Sequence, residues 1–234
     1  MLTRRSFAAA SGAVFLTACT RPFEGSPTSA AAVPAGPVYP PLPDFYGAVS
    51  GETFPIEAVP EGVLSPELWR QEAENLWPRH PRGTIVVDPD AALLYFVESA
   101  ERTTRYGVSV GAAGFGWDGT ARLQFCRSWP RWNVPEETIE RRPELEPYSV
   151  ANGGMDPGPG NPMGARALYL FQNGEDTLYR VHGGALPREL GQAVSAGCIR
   201  MLDQDVIHLH DRAVHGASVI VLPSMMPSGL AQVY

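Results

Sequence analysis

The chain changes character along its length, and the hydrophobic pattern shows where. From Thr20 to Pro43 there is almost no large apolar residue among the Pro, Ala, Ser and Gly. Such a segment cannot bury enough surface to offset its ordering entropy, so it reads as a flexible tether over 19–43. Ser65-Pro66-Glu67 then carries a helix-start signature, with Ser as N-cap, Pro at the first helical position and an acid in the first turn. Leu64 and Trp69 stand at the positions of a hydrophobic staple, which predicts a helix over 66–77 that stops before Pro78. Residues 44–82 are therefore expected to form an N-terminal extension bracing the main domain.

From Gly83 onward, short β-branched or aromatic runs bounded by turn residues predict strands at 84–87, 92–97, 105–110, 167–171, 177–181 and 218–222. One helix is expected after Cys198, where Asp203 can cap a run whose Val206, Leu209 and Ala213 share a face. The predicted fold is mainly β, with one or two short helices. Two regions are long for plain connectors: Gly111–Gly119 leading on to Ser128–Pro135, and Gly153–Gly164. Their Trp and Pro residues favour an ordered rim. Neither is followed by the Gly-Lys-Ser/Thr of a phosphate loop.

Composition adds three constraints. Gly and Pro number 24 and 23, which argues for turns and short strands over long helices. All 18 basic residues are Arg, against 25 acids, for a net charge of −7. An acidic chain without basic clusters gives no footing for nucleic-acid binding. The start of the chain reads as a targeting segment: Arg4-Arg5 precede an apolar run to Ala18 that is too short for a bilayer core of roughly 30 Å. Residues 1–18 are expected to be a twin-arginine-like signal peptide. Leu16-Thr17-Ala18-Cys19 resembles a lipoprotein box, making Cys19 the expected lipidation site and the lipid the expected membrane anchor.

The candidate chemistry lies between His182-Gly183-Gly184 and Gly197-Cys198. A cysteine becomes a strong nucleophile when a base takes its proton, and flanking glycines let the backbone approach a substrate carbonyl. A structural, buried Cys beside an ordinary turn is the competing reading of that pair alone. A bridge from Cys126 to Cys198 would quench the nucleophile and is not expected. His208 and His210 are two apart on the expected helix and share no face, and His80 and His215 have no evident partners, so neither metal nor cofactor is expected.

These residues resemble the signature of L,D-transpeptidases with a YkuD-type catalytic domain: H-G-T, a spacer, then S-H-G-C-I-R-L/M. The matching stretches here are His182-Gly183-Gly184 and Ser195-Ala196-Gly197-Cys198-Ile199-Arg200-Met201. Collinear blocks at Gly83–Asp88, Trp129–Trp132, Asn161–Leu170, Asp205-Val206 and Val219–Val221 extend the resemblance from Gly83 to Pro223. Gly184 stands where the family has Thr, and Ala196 where it has His.

The resemblance implies a catalytic domain over 83–223, followed by a tail over 224–234, with a β-sandwich of mixed sheets. It implies Cys198 as nucleophile and His182 as base in a thiolate–imidazolium pair, oriented by a carbonyl of the Gly183 region. Backbone N–H groups near Gly197-Cys198 would hold the oxyanion. Ser195 would support the pair or the turn, and Arg200 would hold a substrate carboxylate or pin the loop through an ion pair. The implied substrates are peptidoglycan stem peptides, with another stem, a wall-attached protein or water as acyl acceptor. The implied location is the periplasm or cell envelope. Loss of the second His also leaves room for an idle wall-binding lipoprotein.

Overall fold

From Gln71 onward the backbone is laid down mostly as strands, and the side-chain alternation along them decides how they stack. The computed structural model describes residues 39–111, 118–192 and 198–225. In order the strands are β1 (Gln71–Glu74), β2 (Ile85–Asp88), β3 (Leu93–Val97), β4 (Arg102–Gly107), β5 (Ser109–Val110), β6 (Gly119–Ser128), β7 (Arg166–Gln172), β8 (Glu175–His182), β9 (Ile199–Arg200) and β10 (Ser218–Val221). Two short helices, α1 (Glu136–Arg141) and α2 (Asp203–His210), interrupt them. Among the described residues the strands form one 10-stranded sheet in the order β1-β4-β3-β2-β10-β6-β7-β8-β9-β5. The β2–β10 and β8–β9 pairs are parallel, and the others are antiparallel.

The order itself shows how the sheet curls. Only Val108 separates β4 from β5, yet β4 lies next to one edge and β5 is the other. The sheet must fold over until its far edge meets the end of β4, and the packed layers arise that way. Between them lie Ile85, Val87, Leu94, Phe96, Leu123, Leu168, Leu170, Val181, Ile199, Val219 and Val221, joined by Val206 and Leu209 from α2. The odd partners on β2 and β3, Val86, Leu93 and Tyr95, are buried on the opposite face under Leu68 and Trp77. A strand covered on both faces reads as an unbroken apolar run, as 84–87 does.

The helix expected over 66–77 does not form. Pro66–Leu68 is a single 3-10 turn, and the chain then extends as β1 on the edge of β4, pairing Gln71 with Arg105 and Glu74 with Arg102. An isolated helix of that length is marginal in water, whereas the exposed edge of β4 offers a full ladder of backbone partners. The staple pair still meets: the Trp69 indole N–H donates to the Leu64 carbonyl at 3.1 Å. β6, the longest strand, was not anticipated. A register shift between Leu123 and Phe125 breaks its inside–outside alternation and hides it from a period-two search.

The contacts of the N-terminal segment with the rest of the domain are made by irregular chain and not by a helix. Tyr46, 1% exposed, donates its hydroxyl to Asp205 Oδ2 at 3.1 Å and accepts the Arg70 N–H at 2.7 Å. The Arg70 guanidinium lies 3.6 Å from Asp205 Oδ1 and 4.0 Å from the Phe45 ring centre. Gln204 adds a bond from Nε2 to the Glu57 carbonyl at 2.9 Å. Tyr46, Val59 and Leu64 also form a small apolar cluster with Ala185, Leu190 and Leu202, so this segment backs the loop after His182.

Asp205 is the hub of that contact. Replacing it with Ala strands a buried guanidinium and a buried hydroxyl, and the expected loss is about 3–5 kcal/mol. Tyr46→Phe should cost about 1–3 kcal/mol. Urea unfolding of the purified variants measures both, and a Tyr46→Phe loss larger than that of Asp205→Ala would contradict the arrangement.

Candidate active site

β9 is only two residues long, but it decides what meets what. It lies parallel to the end of β8, with Val181 opposite Ile199 and His182 opposite Arg200. The Met201 N–H donates to the His182 carbonyl at 2.8 Å, and the Ala185 N–H to the Met201 carbonyl at 3.0 Å. Val181 and Ile199 point into the core, 0% and 3% exposed. Strand alternation therefore turns His182 and Arg200 to the other face. Cys198, one residue before β9, falls next to Arg180 on that same side, and its carbonyl accepts the Gly111 N–H at 3.3 Å. Cys198 and His182 thus fall on the same side of two adjacent strands. Ser195, Gly197 and Cys19 lie outside the described residues.

His182 is buried, with Nδ1 2.9 Å from the Gly183 carbonyl. A carbonyl only accepts, so Nδ1 carries the proton and Nε2 is the basic nitrogen. Burial, with Arg200 nearby, pushes the imidazole down to about 4, and the Gly183 and Met163 carbonyls recover only part of that. Cys198 keeps some open surface, yet burial pushes its thiol up against the opposing pull of Arg180 and Arg200. Burial thus works against the charged form of each partner in the expected thiolate–imidazolium pair. The reason is desolvation, which disfavours both charged forms. Cys126 packs against the core as a thiol that burial pushes up to about 11, and neither it nor Cys198 is in a disulfide.

The turn after His182 is made of backbone. A Cβ on Gly183 would sit 2.1 Å from Asp203 Oδ1, and one on Gly164 would sit 2.3 Å from the same oxygen. Gly184 has φ +74°, and a Cβ there would meet the Pro162 carbonyl oxygen at 2.6 Å. Asp203 Oδ1 accepts the Ala165 N–H at 2.7 Å and the Gly184 N–H at 3.1 Å. Read from sequence as a cap for its own helix, Asp203 makes no cap bond there; Leu202 is the cap and Asp203 reaches across to this turn. Arg200 donates to the Gly184 carbonyl at 2.7 Å and pairs with Glu189 at 3.2 Å. Of the two uses open to Arg200, the structure puts its guanidinium in the internal ion pair.

Further residues stabilise this corner. Arg166 makes a two-pronged pair with Glu52, at 2.9 and 2.6 Å, and its carbonyl accepts the Gly183 N–H at 3.0 Å. The Trp129 indole also donates to Glu52, at 2.9 Å. Asn161 ties the two long loops together, donating to the Pro130 and Asp156 carbonyls at 3.1 and 3.0 Å while its oxygen accepts the Met163 N–H at 2.9 Å. Asn161 and Arg166 fall within a block that resembles the family, but nothing local in the sequence marks their roles, and Glu52 carries no local signal at all. Phe115 and Trp117 of the Gly111–Gly119 region lie outside the described residues. Of the remaining histidines, His208 bonds Tyr106 at 2.9 Å through Nδ1.

The model of the YkuD family, the L,D-transpeptidase catalytic domain, matches residues 82–221, and the chain belongs to that family. Among curated relatives it is 29% identical over 147 residues to a probable L,D-transpeptidase, ErfK/SrfK, of Escherichia coli (strain K12), covering 60% of this chain and 44% of that protein. The chain thus spans less than half the length of that relative. Among solved structures, one titled a probable carnitine operon oxidoreductase, from Brucella melitensis, is 42% identical, with a TM-score of 0.47 over 68% of this chain and 96% of that one. An L,D-transpeptidase from Mycobacterium smegmatis is 20% identical, with a TM-score of 0.43 over 59% of this chain and 58% of that one.

Two outcomes follow from the geometry. Restoring the family's usual residue, Gly184→Thr, forces a β-branched side chain into positive φ and against Pro162. It should destabilise the protein by at least about 2 kcal/mol in urea unfolding, and a neutral change would show that the turn relaxes freely. His182 stays neutral in the folded protein down to about 4 but titrates near 6.5 when unfolded. Its contribution is present above that unfolded value and is lost as pH falls toward 4, by about 3 kcal/mol. The stability gap between wild type and His182→Gln, followed from pH 7 to pH 4, should shrink accordingly.

Proposed function

We propose that the protein is a peptidoglycan L,D-transpeptidase with Cys198 as nucleophile and His182 as general base. The observation that supports this best is the β8–β9 register, which sets Cys198 and a His182 of defined tautomer on one side of the sheet in a chain of this family. In this reading Cys198 Sγ attacks the carbonyl carbon between an L-centre and D-Ala in a tetrapeptide stem, while the thiol proton passes to His182 Nε2. Because burial disfavours both charged forms, proton transfer accompanies attack in this reading. Backbone N–H groups around Gly197-Cys198 hold the oxyanion, and removing one such donor in another enzyme costs about 10²–10³ in rate. The C–N bond then breaks, His182 returns the proton to the departing amine, and D-Ala leaves behind a thioester.

An amine of a second stem, or of a wall-attached protein, next attacks the thioester. His182 takes the amine's proton, the C–S bond breaks, the new amide closes a 3-3 cross-link, and Cys198 recovers its proton. Ser195 supports this pair, and Arg200 holds the turn that carries His182. Export through the signal over 1–18, lipidation at Cys19 and a tether over 19–43 would place the catalytic domain at the envelope, facing the wall.

Incubation with tetrapeptide-stem muropeptides, read by mass spectrometry, tests the reading. The expected products are 3-3 dimers with release of D-Ala, abolished by at least about 10³-fold in Cys198→Ala and in His182→Ala. Tripeptide monomers alone would replace transfer with hydrolysis. No turnover and no adduct on Cys198 would leave an idle wall-binding protein.

A further inference from the structure

His182 and Asp203 are connected through a single peptide group. The Gly183 carbonyl accepts from His182 Nδ1 at 2.9 Å, and the Gly184 N–H, the other end of the same amide, donates to Asp203 Oδ1 at 3.1 Å. A trans peptide is planar with its C=O and N–H opposed, so ring and carboxylate face each other across one amide. An amide whose N–H is bound to an anion is polarised toward its oxygen and becomes a stronger acceptor there. The carboxylate has no freedom to leave. The Ala165 N–H holds the same oxygen at 2.7 Å, and the bare faces of Gly164 and Gly183 admit no side chain against it. Asp203 also forgoes the cap of its own helix to make these bonds.

The surrounding charges give this carboxylate a task. Arg200 on β9 and Arg180 on β8 both disfavour a proton on His182. Burial pushes the Asp203 carboxyl up, the Ala165 and Gly184 N–H groups and Arg166 on β7 work to keep it ionised, and Glu52 of the N-terminal segment works against them. The geometry points to Asp203 as a positioning residue of the catalytic pair: acting through the Gly183–Gly184 amide, it holds His182 in its Nδ1–H form and stabilises the charge His182 gains on accepting the Cys198 proton. This inference rests on the reading of Cys198 and His182 as nucleophile and base. Asp203 takes no proton itself, and the amide conveys polarisation only.

The test is acylation of Cys198 by a carbapenem across pH 3–8, with peptide mapping by mass spectrometry to separate it from Cys126. Asp203→Asn keeps an acceptor oxygen for both N–H groups and removes the charge. It is expected to unfold at nearly the wild-type urea concentration, yet to acylate about tenfold more slowly at the plateau, with its acid limb moved to lower pH. Asp203→Ala should be slower still and less stable. A folded Asp203→Asn with the wild-type rate and pH profile overturns the inference alone, whereas wild type that takes no carbapenem on Cys198 overturns the reading of the site along with it. If Asp203→Asn does not fold, the 15N spectrum of His182 in wild type reads the same arrangement: a proton on Nδ1 at neutral pH supports it, and a proton on Nε2 instead overturns it.

Discussion

Two residues of β9 laid parallel against the end of β8 hold this site together, and much of the surrounding structure serves to keep them there. Parallel neighbours cannot be joined by a tight hairpin, so the chain from Gly183 to Cys198 has to travel out and return in the same direction. An excursion that long is costly to order, and the ties along it are correspondingly many. Arg200 reaches back from β9 to the Gly184 carbonyl and to Glu189. Ala185 and Leu190 sink into an apolar cluster supplied by Tyr46, Val59 and Leu64. The N-terminal segment is therefore structural support for the loop between His182 and Cys198.

The site combines burial with compensation by backbone groups. Burial drives His182 down and Cys198 up, which disfavours both charged forms and would leave an unhelped imidazole a weak base. Glycines at 164, 183 and 184 allow carbonyls and a carboxylate to come within hydrogen-bond range of this corner, where side chains would stand in the way. The same crowding explains why the departure at Gly184 need not be read as a lost function. The backbone there has a left-handed φ and touches Pro162, which a threonine would oppose.

Several elements were legible in the chain because their causes are local. The apolar run of 84–87, the strands around Leu168–Leu170 and Val219–Val221, and the helix after Met201 each carry a burial pattern with its own period. The stretch over 66–77 misled because its cap and staple are valid local signals, while the decisive partner, the edge of β4, lies far along the chain. β6 was missed because a bulge at Leu123–Phe125 shifts its phase. Asp203 looked like an ordinary cap, since the backbone it serves at Ala165 and Gly184 is distant in sequence.

The order His182-Gly183 … Gly197-Cys198-Ile199-Arg200, with its collinear blocks, was enough by itself to point to the family and to single out a candidate nucleophile and base, because reactive residue types in a glycine frame are a one-dimensional signal. The tertiary structure alone decided the charge state and the connections. Whether a thiol and an imidazole rest neutral depends on how much protein surrounds them. That Arg200 turns to Glu189, that Glu52 clips Arg166, and that Asp203 meets His182 across one amide all follow from chain segments folded together from far apart. Desolvation and long-range hydrogen bonding have no period along a sequence, and they become readable only once the sheet has closed.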